Sequence, residues 1–443
     1  MPLFDRCLAA VEIADAASGT VLYARNEHLL LRPASNVKLF TTAAAVLGMP
    51  QDFHFETTIA VAGTRRHTLY CIGGGDPLFS SQDIQKLAQF VHAANIERID
   101  TLVMDGSLYN ADIYGQGWMW DDEADPFTPY LSAFPVDGNV VRINVRKTSQ
   151  QASSIIVSSR PSSRFFQITQ ADAADAGRHG SGFHMEKVPR SNEILLFGTP
   201  RSGRTESKQF SIWRPIDVFA DLLQTELQRR GITADTLVVT SASSKPSELQ
   251  PLGSIRRPLS PVLAEMNKKS NNLSAEAMLR ALSFGTGRSI SQVSASDGLA
   301  AMSVILKIHR MDERDMALYD GSGISFYNLA TAASLGRLLR MLAANEAYER
   351  FRASLAIGGV DGTLRNRMRD LAASRGFRGK TGTVRGVSAL SGYVQAPGGH
   401  LLTVVMLMQN FKGRHTPYRA VQDRIVRHCF NYSATKTPTT QTR

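Results

Sequence analysis

A serine and a lysine, Ser35 and Lys38, lie three positions apart at the start of an alanine-rich apolar run. Pro33 can close the preceding loop, so the run is predicted to be a helix that begins near Ser35. Residues at i and i+3 share one helix face, and the hydroxyl can therefore meet the amine. A serine becomes a nucleophile when a base accepts its proton, and a lysine is such a base when burial or nearby positive charge lowers its pKa. The pair indicates nucleophilic catalysis, but an N-cap serine followed by a surface lysine gives the same pattern.

A second polar group, Ser270 and Asn272, lies in a short turn between two predicted helices, 261–268 and 274–282. Such a turn can project its first and third side chains into a cleft. A hydroxyl there relays a proton to a leaving amine, and an amide holds a substrate backbone. Ser-Asn-Asn is also an ordinary helix-to-helix turn, so this group alone does not decide between the two interpretations.

A third group, residues 380–383, lies at the start of a predicted edge strand and reads Lys-Thr-Gly-Thr. The unpaired N–H and C=O groups of a strand edge bind extended peptides, and Gly382 keeps this edge open. Lys380 and Thr381 suit a carboxylate, and the backbone N–H groups of Ser35 and Thr383 would form an oxyanion hole. Taken alone, Lys-Thr-Gly on a strand is common.

The elements that must position these groups lie at the two ends of the chain. A β-hairpin is predicted at 9–25, and late strands at 379–384, 390–395 and 402–408 are followed by a closing helix at 418–430. The middle is rich in short strands and ends in a Ser/Pro-rich segment, 241–253, that is typical of a linker. We therefore expect a discontinuous catalytic domain formed by 1–50 and 254–432, a β-rich insertion of one or more domains at 51–253, and a disordered tail at 433–443.

Size and charge narrow the classes of function. The 443 residues are 43% hydrophobic and 20% charged, which is typical of a globular protein with two or three domains. The net charge is +11, but no Lys/Arg block is interleaved with aromatic residues, so we expect no nucleic-acid partner. Three widely separated cysteines and ten histidines show no metal-ligand spacing and no disulfide framework, so we expect no metal and no other cofactor.

The apolar runs and the first six residues bear on membrane spans and export signals. The longest apolar runs, such as 401–408, are far shorter than the ~18–20 residues that cross a bilayer, so no membrane span is predicted. Residues 1–6 lack a basic start followed by an apolar block. On this evidence the chain is predicted to be cytoplasmic, or mature or truncated at its start.

The three groups together resemble a known signature. Ser-x-x-Lys, a Ser-x-Asn turn and Lys-Thr-Gly, in this order and in these contexts, are typical of penicillin-binding proteins and class A β-lactamases. The chain resembles the D-alanyl-D-alanine carboxypeptidase/endopeptidase penicillin-binding proteins of low-molecular-mass class C, and the long interval between Ser35 and Ser270 fits their inserted domains. Further matching segments are 73–77, 266–276, 320–325, 359–364 and 390–394.

This resemblance implies a β-lactamase/transpeptidase-like fold of the α/β (α+β) class, with an antiparallel sheet flanked by helices and a large β-rich insertion. It implies a serine-type D-Ala-D-Ala carboxypeptidase, with DD-endopeptidase activity by the same chemistry. The expected partners are peptidoglycan stem peptides ending in D-Ala-D-Ala and inhibitory β-lactams, and the expected location is periplasmic or otherwise extracytoplasmic.

The resemblance also assigns roles by position. Ser35 would be the acylated nucleophile, Lys38 its base and Ser270 a proton relay. The substrate-binding residues would be Asn272, for the substrate amide, and Lys380, Thr381, Gly382 and Thr383, with Lys380 and Thr381 binding the terminal carboxylate.

The sequence leaves one contact and two alternative functions open. Phe326 and Tyr327 follow Ser325, where the family pattern has an arginine, so a contact made there is altered. A β-lactamase or esterase on the same fold would need a group that speeds deacylation, and no such glutamate is identified. The third interpretation is a non-catalytic wall-binding or scaffolding protein that keeps the fold. The intact set of polar residues argues against it: Ser35, Lys38, Ser270, Asn272 and Lys380. The sequence gives no indication of oligomeric state.

Overall fold

The computed structural model describes residues 4–62, 65–109, 113–147, 155–171, 182–241, 248–286 and 292–432. The tail predicted at 433–443 therefore lies outside the described residues. The chain divides into two compact units, each discontinuous in sequence. The first unit is Met1–Gln51, Ser260–Arg288 and Ala295–Arg443, and the second is Asp52–Leu259 and Ser289–Ser294.

The strands of the described residues are, in chain order, β1 (Leu8–Asp15), β2 (Val21–Arg25), β3 (His54–Ala62), β4 (Arg65–Ile72), β5 (Arg98–Asp105), β6 (Val140–Lys147), β7 (Ile155–Arg160), β8 (Gln167–Gln170), β9 (His184–Lys187), β10 (Glu193–Phe197), β11 (Thr205–Ser211), β12 (Thr233–Thr240), β13 (Leu249–Pro258), β14 (Met316–Ala317), β15 (Leu329–Ala330), β16 (Ala356–Ile357), β17 (Phe377–Val384), β18 (Val387–Gln395) and β19 (Leu401–Gln409). The α-helices are α1 (Val37–Gly48), α2 (Ser81–Ala93), α3 (Pro215–Gln228), α4 (Leu259–Lys268), α5 (Asn272–Ala281), α6 (Ala295–Ile308), α7 (Ala332–Ala343), α8 (Tyr348–Ser354) and α9 (Thr416–Phe430). Among the described residues, no helix combines the length and the apolar character that crossing a membrane requires.

The first unit is built on a six-stranded antiparallel sheet in the order β16-β17-β18-β19-β1-β2. The pairing of β1 with β19 runs from Leu8↔Gln409 to Asp15↔Leu402, so the N-terminal hairpin completes a sheet whose other strands come from the end of the chain. This is the antiparallel sheet flanked by helices that the sequence predicts. The short hairpin turn at Pro397 to Gly399 connects β18 to β19, also as predicted.

Helices cover both faces of this sheet, which explains why its central strands are apolar along their whole length. All residues of β18 except Gln395 are buried. On one face the buried residues Val421 and Val426 of α9 belong to the same core as Val404 and Met406 of β19. On the other face, the Tyr393 hydroxyl of β18 donates to the Leu339 carbonyl of α7 at 2.8 Å.

The second unit contains a five-stranded sheet in the order β12-β5-β4-β3-β13 and two three-stranded sheets, β11-β6-β7 and β8-β10-β9. Helix α2 is amphipathic and buries Ile84, Leu87 and Val91. Just before it, the buried ring of Phe79 packs against Phe219 of α3, with 5.1 Å between ring centroids. Aromatic contacts of this kind fix the two helices against each other.

The predicted linker at 241–253 is partly wrong, because its last five residues belong to β13. That strand pairs antiparallel with β3 from Leu249↔Ala62 to Pro258↔His54, with a register shift between Pro251 and Gly253. It lies at the edge of its sheet, where a proline without an N–H does not break the ladder. Proline and glycine in this segment therefore mark an irregular edge strand and not a linker.

Candidate active site

The predicted nucleophile, Ser35, lies in a 3-10 turn, Ala34–Asn36, immediately before α1. Ala34 adopts a φ of +47°. Against it lies Gly323, which has a φ of +84° and no room for a side chain, because a Cβ there would overlap the Ala34 carbonyl group. This close approach of two backbones fixes the turn that presents the Ser35 hydroxyl.

Lys38 follows one turn later, in the first turn of α1, and its side chain is fully buried. Its Nζ donates to the Ser35 hydroxyl oxygen at 3.0 Å, to Asn272 Oδ1 at 2.6 Å and to the Ser322 carbonyl oxygen at 2.6 Å. The amide and carbonyl oxygens only accept, so they retain two N–H groups of the amine in either protonation state. When the third proton is lost, the lone pair therefore points at the Ser35 hydroxyl.

Burial of the amine lowers the pKa of Lys38 from its ordinary 10.5 to about 7, although the carboxylates of Asp320 and Glu276 act in the opposite direction. A buried ammonium loses its hydration, which disfavours the charged form. A substantial fraction of Lys38 is thus neutral near pH 7. The position and the lowered pKa of Lys38 both suit the role of a base for the Ser35 hydroxyl.

The Ser322 carbonyl oxygen is a partner of Lys38 that sequence reasoning did not identify. It belongs to a loop organised by Asp320, whose carboxylate accepts from the backbone N–H groups of Gly323 and Ser325, each at 2.7 Å. The same carboxylate accepts from Asn328 Nδ2 at 2.8 Å. The Asp-Gly-Ser-Gly sequence signals a tight turn, but every residue has a carbonyl group, so no residue type marks this contact.

Ser270 lies in the turn between α4 and α5, as predicted, with a φ of +61°. Asn271 caps α5 by accepting from the backbone N–H of Ser274 at 2.8 Å, which fixes the turn. Lys380 Nζ donates to the Ser270 hydroxyl oxygen and to the Thr381 carbonyl oxygen, both at 2.8 Å. Lys380 is fully buried, and burial together with the nearby charge of Lys38 holds its pKa well below the ordinary value.

Strand β17 presents its predicted residues to opposite faces, because successive side chains of a strand alternate. A Cβ on Gly382 would stand 2.7 Å from both the Pro33 carbonyl oxygen and Asn36 Nδ2, so the absence of a side chain lets the strand lie against the Ser35 turn. The hydroxyls of the two neighbouring threonines have other partners. Thr381 Oγ1 donates to Thr363 Oγ1 at 2.8 Å, and Thr383 Oγ1 accepts from Arg419 Nη2 at 3.2 Å.

The structure thus brings five of the eight predicted residues into two hydrogen-bonded groups. One joins Ser35, Lys38 and Asn272, and the other joins Ser270 and Lys380. Gly382 contributes by its close packing. The hydroxyls of Thr381 and Thr383 hydrogen-bond to residues outside both groups, Thr363 and Arg419, which the sequence did not indicate. A serine beside a buried neutral amine, with a second serine beside a second buried lysine, suits acyl transfer.

A match to a protein family decides the identity. The family model described as the D-Ala-D-Ala carboxypeptidase 3 (S13) family matches residues 2–429. The chain belongs to this family. The carboxypeptidase is 28% identical to the D-alanyl-D-alanine carboxypeptidase of Actinomadura sp. (strain R39), across 99% of this chain and 84% of that protein. It is 25% identical to the D-alanyl-D-alanine carboxypeptidase DacB of Haemophilus influenzae, across 87% of this chain and 82% of that protein.

Solved structures show the same fold. Penicillin binding protein 4 (dacB) from Haemophilus influenzae superposes with a TM-score of 0.84 at 22% identity, covering 97% of this chain and 98% of that one. A second structure of that protein, in complex with a β-lactam, superposes with a TM-score of 0.78. The predicted family, the predicted fold and the predicted activity are therefore confirmed: the chain is a serine-type D-Ala-D-Ala carboxypeptidase.

Proposed function

We propose that the carboxypeptidase hydrolyses the bond between the last two D-alanines of peptidoglycan stem peptides, with Ser35 as the acylated nucleophile. The observation that carries this proposal is the fully buried amine of Lys38, 3.0 Å from the Ser35 hydroxyl oxygen and with a pKa of about 7. A hydroxyl is a weak nucleophile without such a base.

In the first step, neutral Lys38 accepts the Ser35 proton while the serine oxygen attacks the carbonyl carbon of the penultimate D-alanine. Negative charge develops on the carbonyl oxygen, and the backbone N–H groups of Ser35 and Thr383 are the proposed donors that stabilise it. The carbon–nitrogen bond then breaks, leaving an ester on Ser35 and releasing D-alanine.

The leaving nitrogen needs a proton, and Ser270 is the proposed donor. Its hydroxyl oxygen lies 2.8 Å from Lys380 Nζ, so a proton given to the substrate is replaced from a lysine whose lowered pKa makes it a better acid than an ordinary ammonium. The two lysines are thus proposed to act in sequence. Lys38 accepts the proton of the nucleophile, and Lys380 resupplies the proton that Ser270 gives to the leaving group.

Substrate binding is proposed along β17. Beyond Gly379 this strand pairs with β18 on one side and with no described strand on the other, which leaves an edge for an extended peptide. The positive charge of Lys380 is proposed to attract the terminal carboxylate of the peptide. Thr381 and Thr383 are the proposed substrate-binding threonines of the same strand. Asn272, held by its oxygen to Lys38, is the proposed contact for the substrate amide.

Water then attacks the ester carbonyl carbon, and its proton passes through Ser270 to Lys380 while Lys38 returns a proton to the Ser35 oxygen. The ester bond breaks, the shortened peptide leaves with a new carboxyl group, and Ser35 and both lysines regain their starting protonation states. A β-lactam carbonyl would acylate the same serine, so β-lactams are the proposed inhibitors. Peptidoglycan is an extracytoplasmic polymer, and we therefore propose an extracytoplasmic site of action.

The test is the intact mass of the protein after incubation with benzylpenicillin. The wild type is expected to gain one penicilloyl group, and Ser35→Ala to gain none. Ser18→Ala, a change of an exposed serine in the turn between β1 and β2, is the matched control and should be acylated like the wild type.

Rapid loss of benzylpenicillin without an adduct would point instead to a β-lactamase. An adduct that persists in Ser35→Ala would remove Ser35 from the nucleophile's role. Release of D-alanine from a short synthetic peptide ending in D-Ala-D-Ala, present in the wild type and absent in the variant, completes the assignment.

A further inference from the structure

The second unit contains a polar cavity of about 890 Å³ that none of the catalytic groups line. Its walls come from the start of α2, from the C-terminal half of α3 and from one face of the β11-β6-β7 sheet. A volume of this size suits a small organic ligand or a peptide segment better than a single ion.

Two arginines stand directly opposite each other on the sheet wall. Arg142 of β6 pairs in register with Arg160 of β7, and on its other side with Gln209 of β11. Side chains at paired positions project from the same face, and like charges placed this way destabilise the sheet. Within the part of the chain that the structure describes, neither guanidinium has a hydrogen-bond or ion-pair partner.

The two carboxylates at this cavity already have partners. Asp137 accepts from the backbone N–H of Ser81 at 3.1 Å and also from its hydroxyl. Glu226 accepts from Arg229 at 2.5 Å and from Arg230 at 2.9 Å. Ser81 is neutral, so the lining carries three arginines, Arg142, Arg160 and Arg229, against two carboxylates, and its formal charge is +1. Because Arg229 pairs with Glu226, Arg142 and Arg160 are the two arginines of the lining without a carboxylate partner among the described residues.

We propose that this cavity binds an acidic peptide through the guanidinium groups of Arg142 and Arg160, each of which suits a carboxylate. A guanidinium donates two parallel hydrogen bonds to one carboxylate, and two adjacent guanidinium groups suit a segment with two carboxylates. The inference rests on the proposed function for its ligand: the uncleaved or cleaved stem peptide of peptidoglycan carries free carboxylates, and the cavity is a second contact for that polymer, separate from the site of hydrolysis.

The experiment measures equilibrium binding of a stem peptide with free carboxylates to the full-length protein, by calorimetry at low salt. The variant combines Arg142→Gln with Arg160→Gln. Arg146→Gln is the matched control, since Arg146 is exposed on the same strand and face but does not line the cavity. Loss of two charge-assisted contacts should weaken binding by roughly tenfold or more in the double variant and leave the control unchanged.

Acylation by benzylpenicillin is measured in parallel and should be the same in all three proteins, because no catalytic group is changed. This separates the two proposals: failed acylation of the wild type would overturn the proposed chemistry, while equal peptide affinity of wild type and double variant would overturn the cavity assignment. The double variant should also melt at the same or a higher temperature, because the repulsion between opposed arginines is removed.

Two further probes identify the ligand chemistry. The same peptide with its carboxylates amidated should not bind at the cavity, so binding equal to that of the acidic peptide would overturn the proposal. Inorganic phosphate at millimolar concentration should compete with the acidic peptide. If phosphate binds in an Arg142-dependent manner but the peptide does not, the site is one for small oxyanions and the acidic-peptide assignment is wrong.

Discussion

Two buried lysines, Lys38 and Lys380, carry most of the proposed chemistry at the scale of single residues. Both are fully buried, and a lysine in this condition is costly unless it loses its proton or finds acceptors. Lys38 has three acceptors and Lys380 has two. The charge of Lys38 adds to burial in lowering the pKa of Lys380, so the pair favours a state in which one lysine is neutral.

The pH dependence of acylation follows from the pKa of Lys38. The lysine acts as a base only when unprotonated, and burial lowers its pKa to about 7. The rate constant for acylation by benzylpenicillin should therefore rise as the pH increases and reach half its plateau near pH 7. Stopped-flow measurements between about pH 5 and pH 9 test this expectation. A rate that is flat through pH 7, or that falls as pH rises from 5, would contradict the role of Lys38 as the base.

Glu276 affects the pKa of Lys38, the proposed base. It is buried, its Oε1 accepts from the backbone N–H of Gly321 at 3.0 Å, and its charge raises the pKa of Lys38. Burial, followed by the nearby Asp320, raises the pKa of Glu276 itself to about 7. In Glu276→Gln the acidic limb of the acylation profile should shift to lower pH, because the carboxylate that favours charged Lys38 is gone.

The control for this change is Glu349→Gln, which removes an exposed carboxylate that pairs with Arg352 at 3.2 Å. Its profile should match that of the wild type. Glu276→Gln should also be less stable, since it removes a buried carboxylate that lies 3.3 Å from the buried guanidinium of Arg280. A destabilised variant with an unshifted profile would show that Glu276 acts only in folding.

At the scale of elements, the site depends on backbones that approach closely, and glycines permit this. Gly323 packs the Asp320 loop against the Ser35 turn, and Gly382 packs β17 against the same turn. The turn therefore contacts both a loop and a strand, and small displacements of either would move the Ser35 hydroxyl relative to Lys38.

Gly382→Ala tests this dependence. The added Cβ would stand 2.7 Å from the Pro33 carbonyl oxygen and from Asn36 Nδ2, and 3.0 Å from the Ala389 Cβ, so β17 must shift away from the turn. Because misplacement by about 1 Å costs up to ~100-fold in rate, acylation should slow by roughly 10- to 100-fold while the fold is retained. In Gly398→Ala, where the nearest atom to the Cβ is His400 Cδ2 at 3.5 Å, acylation should be unchanged.

The sequence predicted elements and reactive groups better than it predicted contacts. The N-terminal hairpin, the turn with Ser270 and the three final strands are marked by period-two alternation, turn residues and helix boundaries, and the structure has them within a few residues. The helix expected near Ser35 begins at Val37, because a 3-10 turn precedes it. The edge strand β13 was missed because Pro251 and Gly253 resemble a linker.

Other parts of the site had no sequence signal at all. The Ser322 carbonyl oxygen holds Lys38, but a backbone group has no residue type that marks it. Thr363 and Arg419 are far from Thr381 and Thr383 in the chain, and only the folded arrangement of α9 and the loop after β16 brings them to β17. Spacing predicts which residues share a helix face or a turn, whereas pairing between distant segments depends on the tertiary structure.

At the scale of the whole molecule, the chain has 50 Lys and Arg residues against 39 Asp and Glu, and a net charge of +11. The proposed catalytic residues all belong to the first unit, and the opposed arginines Arg142 and Arg160 belong to the second. A positively charged protein attracts an acidic polymer before any specific contact forms. We therefore expect the net positive charge to favour the capture of peptidoglycan, and the buried amine of Lys38 to affect the rate of the chemical step.

Salt should separate these two effects. Exposed charges are screened over a Debye length of about 8 Å at 0.15 M salt and about 3 Å at 1 M, whereas buried groups are screened much less. Between about 0.05 M and 0.5 M salt, sedimentation with intact peptidoglycan should fall several-fold, because capture depends on exposed charge. The rate of acylation at saturating benzylpenicillin should change by less than about twofold over the same range, since Lys38 is buried.

The Arg142→Gln, Arg160→Gln double variant should show a smaller salt effect on sedimentation than Arg146→Gln does. Peptidoglycan binding that resists salt in every protein would mean that apolar or hydrogen-bonding contacts, and not charge, hold the polymer.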